Sequence, residues 1–428
     1  MVSPLQVSRP MRSPTGDAAH DPSPARLQAG AIRDFLLVPL ILLLIALFIA
    51  ACARSTESSR DSASTHPEEL RGVWITNVDS PVLESRESIA EAMEFLADHH
   101  FNAVFPVVWN GGYTLYPSDV AERTYGARIH PDFKGRDPLE TVVVEAERQG
   151  LAVIPWFEFG FAAGYQERGP ILDARPSWAA RDSTGAVLTK NGFRWMNGYH
   201  PDVRDFVADL VREVATTYRV DGVQGDDRLP AQPVEGGYAP LTDSLYRVAH
   251  GTAPPAPRDS AWMQWRADRL TAFADRIYQE TKAIDTTLQV SWSPSVYPWS
   301  MREYLQDWPS WLRRGAADLV HPQVYRRSLG RYRSTLRRQH PDSLGLPDSL
   351  RSKMYPGMLI QVGDYRVAPD TLVSMVQANR NLGFNGEVLF FYEGLRAENN
   401  RLADTLRATV YQHPARLPFP VGSGPPAD

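Results

Sequence analysis

Eight short apolar runs, separated by stretches of helical periodicity, recur between Leu70 and Gly394. They read LRGVWITNV (70–78), NAVFPVVWN (102–110), LAVIPWFEF (151–159), VDGVQGDD (220–227), LQVSWSP (288–294), ADLVHPQVY (317–325), PGMLIQV (356–362) and GEVLFFYEG (386–394). They do not alternate strictly between polar and apolar, as a strand with one wet face would, so each reads as a strand buried on both sides. Between them, Ile89, Ala92, Met93 and Leu96 fall on one helical face, and Val203, Phe206, Val207, Leu210, Val211 and Val214 form another. Gly150 closes a helix over 138–150, Pro201 suits a first turn, and a long helix spans about 260–283. Strands and helices in alternation imply a parallel sheet, and eight units imply a (β/α)8 TIM barrel. A chain of 428 residues leaves room for long loops on its C-terminal face. The alternative, an open doubly wound sheet, would bring a glycine-rich phosphate loop after the first strand. That position reads TNVDSPV (76–82) instead.

The segment before the first strand has a different character. FLLVPLILLLIALFIAA (35–51) follows Arg26 and Arg33 and ends at Cys52, the single cysteine, so no intrachain disulfide can form. Basic residues, an apolar run and small residues before a cleavage point describe a secretory signal. IAAC (49–52) resembles a bacterial lipobox, in which Cys52 carries lipid and becomes the mature N-terminus. An uncleaved anchor helix is the alternative, and both place the rest of the chain outside the cytoplasm; Ala53 after the lipidated cysteine is compatible with sorting to the periplasmic side of the outer membrane in a Gram-negative cell. The expected division is a signal at 1–52, a flexible tether at 53–69, one domain at 70–412 and a loose tail at 413–428. The Pro- and Gly-rich stretch 229–259 is long for a connection and is expected to roof the active end of the barrel. A net charge of -5 gives no attraction to nucleic acid.

Barrel enzymes work at the C-terminal ends of their strands. There this chain offers Asn110, Glu158, Asp226, Asp227, Arg228, Gln323, Tyr325 and Glu393, with Trp109, Trp156, Trp292 and His321 beside them. Cleavage of a glycosidic bond needs one protonated carboxyl for the leaving oxygen and one carboxylate to attack or to activate water. Adjacent carboxylates push their pKa values apart and so divide those roles. Asp226 is expected to be nucleophile or base and Glu393 the acid, with Asp227 and Glu158 tuning them or binding sugar. The amides, Arg228, His321, Tyr325 and the three tryptophans are expected to line the sugar subsites. Each has a plainer reading: the aspartates as a salt bridge to Arg228, Glu158 as the partner of an arginine, His321 as a hydrogen-bonded wall residue and the tryptophans as core. A metal amidohydrolase would carry an HxH pair on the first strand, and a Schiff-base enzyme a lysine at a strand end. Neither is present, no zinc-ligand cluster is visible, and no cofactor is expected.

ELRGVWITNVDSPVL, FNAVFPVVWNGG, WMNGYHPDVRDFV, VDGVQGDDR and DLVHPQVY together resemble the glycosyl hydrolase-like family 10 lipoproteins of bacteria, over roughly residues 68–395. The resemblance implies a barrel that hydrolyses cell-wall glycan, peptidoglycan strands free of stem peptides, with Asp226 and Asp227 at the family's fourth-strand aspartates and Glu393 at its eighth-strand acid. Gln224 stands where the α-amylase type has arginine, which speaks against that mechanism. The alternatives are a barrel that binds glycan without cutting it and a hydrolase of another extracellular polysaccharide.

Overall fold

All eight apolar runs contribute strands to two parallel sheets in the computed structural model, which describes residues 66–166 and 169–421. The signal run, Cys52, the tether as far as residue 65 and residues 422–428 lie outside the described residues. One sheet runs, in spatial order, Gly357–Leu359, Gly386–Phe390, Leu70–Ile75, Ala103–Pro106 and Ala152–Val153. The other runs Leu319–Val320, Gln289–Ser293, Gly222–Asp226 and Trp156–Phe157. The third run therefore supplies a strand to each sheet. Single parallel bridges, Val107 to Trp156, Val320 to Met354 and Gln323 to Gly357, link residues of the two sheets' neighbouring runs.

The strands form where both faces are buried: all six residues of Leu70–Ile75 and all five of Gly222–Asp226 and Gln289–Ser293 are buried. The small residues of VDGVQGDD are explained by their neighbours. A Cβ on Gly222 would stand 2.3 Å from the Gln289 carbonyl oxygen, and one on Gly225 would stand 2.4 Å from the Trp292 ring. Close approach of the fourth and fifth strands thus requires glycine at both positions.

The helices end where the sequence marks their ends. Ser85 and Ser88 form a reciprocal capping box for Arg86–Asp98. Asp137 caps Pro138–Gln149, and Gly150, at φ 69°, closes it in the left-handed region. Helix Pro201–Thr217 buries the predicted stripe in full. Each of its larger apolar side chains stabilises the fold by roughly 1.5–3 kcal/mol.

A line of buried polar groups crosses the interior below the C-terminal ends of the strands. Trp74 Nε1 donates to Gln224 Oε1 at 2.7 Å, and Gln224 Nε2 donates to Ser291 Oγ at 2.8 Å. His321 Nε2 lies 3.0 Å from Ser291 Oγ, and its Nδ1 lies 2.9 Å from the Tyr355 carbonyl. With the histidine neutral, Nδ1 donates to the carbonyl, Nε2 accepts the serine hydroxyl, and all four links are satisfied. Burial pushes its pKa down to about 3, against the pull of the Tyr355 carbonyl.

Two expected boundaries shift. Glu69 belongs to the domain, ion-paired to Arg71 and Arg380 at 2.7 Å each. Residues 413–416 are not loose: Arg71 Nη1 donates to the His413 carbonyl at 2.7 Å, and Glu69 N donates to the Arg416 carbonyl at 2.9 Å. The stretch 229–259 carries a helix, Pro240–His250, and is held by the buried Arg266, whose Nη1 donates to the Val234 carbonyl at 2.6 Å.

Candidate active site

The fourth strand delivers Asp226 to its C-terminal end with a side chain 3% exposed. Oδ1 accepts from Ser293 Oγ at 3.0 Å and Gln323 Nε2 at 2.8 Å, and Oδ2 accepts from Arg228 Nη2 at 3.0 Å. Arg228 binds two further carboxylates: Asp227 at 3.1 Å and Glu158 at 3.3 Å. Its Nε also donates to the Glu158 carbonyl at 3.0 Å. Asn110, from the hairpin after the second strand, donates to Glu158 Oε2 at 2.5 Å. The guanidinium lies over the Phe193 ring at 4.7 Å, which keeps water from one of its faces.

Three carboxylates around one guanidinium are over-supplied with negative charge when all are ionised. The titration follows. Burial pushes the Asp226 carboxyl well above the usual range; Asp227 and Glu158 push it the same way, and Arg228 opposes them. Burial also raises Glu158, against Arg228 and Asn110 and with help from Asp227. Retaining a proton relieves the repulsion, so the cluster can present an acid and a base together.

Above the cluster opens a cavity of about 1010 Å³, with Glu158 and Asn110 in its wall. Thr76, Asp79 and Gln361 add polar groups, and Tyr165, Phe193 and Phe390 add aromatic ones. Tyr165 is half exposed and packs on Phe193 at 5.0 Å. Both belong to a three-stranded antiparallel sheet, Ala162–Tyr165, Thr189–Lys190 and Phe193–Trp195, inserted after the third strand. This insert supplies Gly164, Tyr165 and Phe193 to the cavity wall, and no residue of 229–259, the expected roof, lines it. It carries no sequence signal: its strands are two to four residues long and mix buried with exposed positions.

Of the residues expected at the site, Asn110, Glu158, Asp226, Asp227, Arg228 and Gln323 come together. Tyr325 stacks on Phe390 at 5.4 Å; burial, with the charges of Asp226, Asp227 and Glu158, raises its hydroxyl pKa far above the ordinary value. Five other expectations need correction. Trp109 is wholly buried and donates to the Gly160 carbonyl at 3.0 Å, and Trp292 is 1% exposed and donates to the Ala316 carbonyl at 2.8 Å. Trp156 is 3% exposed, packed near Trp74 and Phe390. None of the three presents a ring face to solvent. His321 is the buried neutral member of the polar line, not a sugar ligand. Glu393 stands apart from the cluster. It lies in the first turn of helix Tyr392–Ala408 and accepts from Ser80 Oγ at 2.9 Å. Burial raises its pKa, and Ser80 and Arg396 oppose that. Ser293, which the fifth run carries at its C-terminal end, is a partner of Asp226; Gln306 is one that the sequence did not reveal, donating to the Asp226 carbonyl at 3.0 Å from outside any strand, where no pattern marks it.

A family model described as Glycosyl hydrolase-like 10 matches residues 69–355. Glycosyl hydrolase DigH of Escherichia coli (strain K12) is 22% identical over 391 residues, covering 78% of this chain and 86% of that one. Glycosyl hydrolase YngK of Bacillus subtilis (strain 168) is 23% identical over 284 residues, 60% of this chain and 54% of that one. Among solved structures, the PgaB (BpsB) glycoside hydrolase domain from Bordetella bronchiseptica is similar in fold. Its TM-score is 0.56 at 14% identity, over 79% of this chain and 99% of that one. Alpha-L-fucosidase isoenzyme 2 from Paenibacillus thiaminolyticus gives 0.55 at 17% identity, over 80% and 49%.

Proposed function

The chain belongs to the glycosyl hydrolase-like 10 family, and we propose that it hydrolyses cell-wall glycan with Glu158 as acid and Asp226 as its partner carboxylate. The observation that carries this reading is the sharing of Arg228 Nη2. Two oxygens 3.0 and 3.3 Å from one nitrogen lie at most about 6.3 Å apart, which lets the two carboxyls approach the ~5–5.5 Å of retention. Protonated Glu158 gives its proton to the glycosidic oxygen as the bond to the anomeric carbon breaks, and Asp226 forms the new bond to that carbon. Glu158 then takes a proton from water, whose oxygen displaces Asp226. Asp227 and Asn110 hold the charges and proton of the pair in place.

Three further proposals complete the reading. The two sheets are arcs of one closed (β/α)8 barrel, supported by the single bridges between runs. Cys52 anchors the protein by lipid on the periplasmic side of a membrane. The substrate is peptidoglycan strands free of peptide, in keeping with an open cavity that has polar and aromatic walls. One observation favours a second reading, a barrel that binds glycan without cutting it: both Asp226 oxygens are already bonded.

Incubation with denuded glycan strands, followed by mass analysis and anomeric NMR of the products, tests the assignment. Glu158→Gln and Asp226→Asn are each expected to lower turnover about 10²–10⁴-fold. Glu393→Gln is expected to lower it less than tenfold. Loss of turnover in Glu393→Gln with turnover retained in Glu158→Gln would restore Glu393 as the acid. Unchanged glycan with wild-type protein, despite binding, would establish the second reading.

A further inference from the structure

The segment from Arg326 to Arg338 carries six arginines, at 326, 327, 331, 333, 337 and 338, and no acidic residue. The whole chain has an excess of acidic residues, so this density is local. Four of the six lie on helix Leu329–Arg338, and Arg331, Arg333, Arg337 and Arg338 are exposed there. Among the described residues, none of the six is within ion-pair distance of a carboxylate. Arg326 and Arg338 instead share Thr335 Oγ1, at 3.0 and 3.1 Å. Elsewhere on the surface the arginines are commonly paired, as Arg212 is with Glu280 at 2.8 Å and Arg276 with Asp205 at 2.6 Å. Like charges left together repel, and the field they create attracts an anion. Burial lowers the Arg326 pKa, and the neighbouring Arg338 and Arg331 lower it further.

The patch also has shape. Arg333 and Arg337, one turn apart, face Ala378, Asn381 and Leu382 across a groove of about 310 Å³ between their helix and helix Pro369–Asn381. The two arginines and an amide give donors for phosphate oxygens, and Leu382 and Ala378 give an apolar floor. The groove's position adds a second argument. Arg380, the neighbour of Asn381, holds Glu69 at 2.7 Å, at the entrance to the first strand. The carboxylate cluster lies at the other ends of the strands, beyond Asp226. The groove is thus on the side where the N-terminal segment joins the domain.

We propose that this arginine groove docks on the phosphate headgroups of an anionic phospholipid bilayer, leaving the carboxylate end of the domain turned away from the lipid. This goes beyond the hydrolase reading and does not depend on it. The lipid proposed on Cys52 would bind any bilayer, so the informative readout is the preference between two compositions. The mature lipidated chain is mixed with vesicles of phosphatidylcholine alone and of phosphatidylcholine with phosphatidylglycerol, at low and at high salt. The expected result is tighter binding to the anionic vesicles, lost in high salt. Arg333→Glu with Arg337→Glu is expected to lower that preference by about tenfold or more, with binding to neutral vesicles and release of glycan fragments unchanged. Equal binding of the wild type to both vesicles overturns the proposal, and so does a preference that survives the double substitution. Inorganic phosphate at matched ionic strength distinguishes a free anion from a surface. If millimolar phosphate abolishes the preference, the groove is a phosphate site and the membrane assignment fails.

Discussion

Replacement of Arg228 by methionine separates the electrostatic part of the site from its packing. Methionine keeps an unbranched stem near Phe159 and Phe193 but removes the charge that holds Asp226, Asp227 and Glu158 at 3.0, 3.1 and 3.3 Å. At an effective dielectric of ~20, each such pair is worth about 4 kcal/mol before desolvation is counted. Breaking a buried pair from one side costs about 3–5 kcal/mol in practice, because the remaining charge stays buried. The loss is limited by proton uptake. Asp226 and Glu158 already have raised pKa values, and the positive charge that opposed the rise is gone in the variant. A carboxylate whose folded pKa is above its unfolded value binds more protons when folded. Its stability is full below the unfolded pKa, near ~4, and falls as pH rises through the folded value. The variant's deficit is therefore expected to be about 3–5 kcal/mol at pH 8 and smaller by roughly 1.4–4 kcal/mol at pH 5, since an adjacent opposite charge is worth about 1–3 pKa units at about 1.4 kcal/mol each. Urea unfolding at the two pH values measures it. Arg228→Lys, which keeps the charge and loses the fork, is expected to show a deficit that barely changes with pH. The reasoning fails if Arg228→Met loses the same stability at both pH values.

Three shorter predictions come from other parts of the molecule. Glu387 is 1% exposed, and burial, with Glu69 nearby, raises its pKa to about 7 against Tyr411, Asn379 and Arg380. Stability should thus fall, by an amount of order a few kcal/mol, as pH rises from ~4 through about 7, and Glu387→Gln should remove that slope in melts across the range. Tyr165→Ala should raise KM on oligosaccharides by roughly 3–10-fold with little change in kcat, because a half-exposed ring at the rim offers an aromatic contact of about 0.5–1.5 kcal/mol; a kcat effect instead would put Tyr165 in the chemistry. Trp292→Phe, in the core beside Gly225, should cost stability by leaving the Ala316 carbonyl without its donor, about 1–3 kcal/mol in denaturant unfolding, with activity per folded molecule unchanged.

The strands were legible because burial on both faces leaves continuous apolar runs, and the helices because one-sided burial leaves a stripe. Glu158 and the two aspartates were legible for a related reason: carboxylates at the ends of apolar runs are costly unless something holds them. Glu393 gives the same signal, yet its run stops being strand at Phe390, and Tyr392 already opens a helix. Sequence could not locate that transition to within two residues, and those residues decide which way the carboxyl points. The tryptophans failed differently. A ring at a strand end looks the same in sequence whether it faces the rim or the layer below. Its orientation depends on partners such as the Gly160 and Ala316 carbonyls, which come from remote segments.

The two polar layers inside the strands show how the same fold treats polar groups with and without a chemical task. In the lower layer, Trp74, Gln224, Ser291 and His321 match donor to acceptor one for one, and no net charge is buried. Such a line satisfies every member and rigidifies the interior. The upper layer has the same option, since amides and hydroxyls such as Gln323 and Ser293 are at hand. It instead crowds three acids onto one cation, an arrangement that raises two of their pKa values and costs stability at neutral pH. Packing does not require that charge, because the layer below closes without it. A cost borne at one end of the strands and avoided at the other is what a site shaped for proton transfer would show. It also gives the physical reason to look for the reaction at Glu158 and Asp226 rather than at Glu393, whose carboxyl is held by Ser80 and Arg396 with no second acid acting on it.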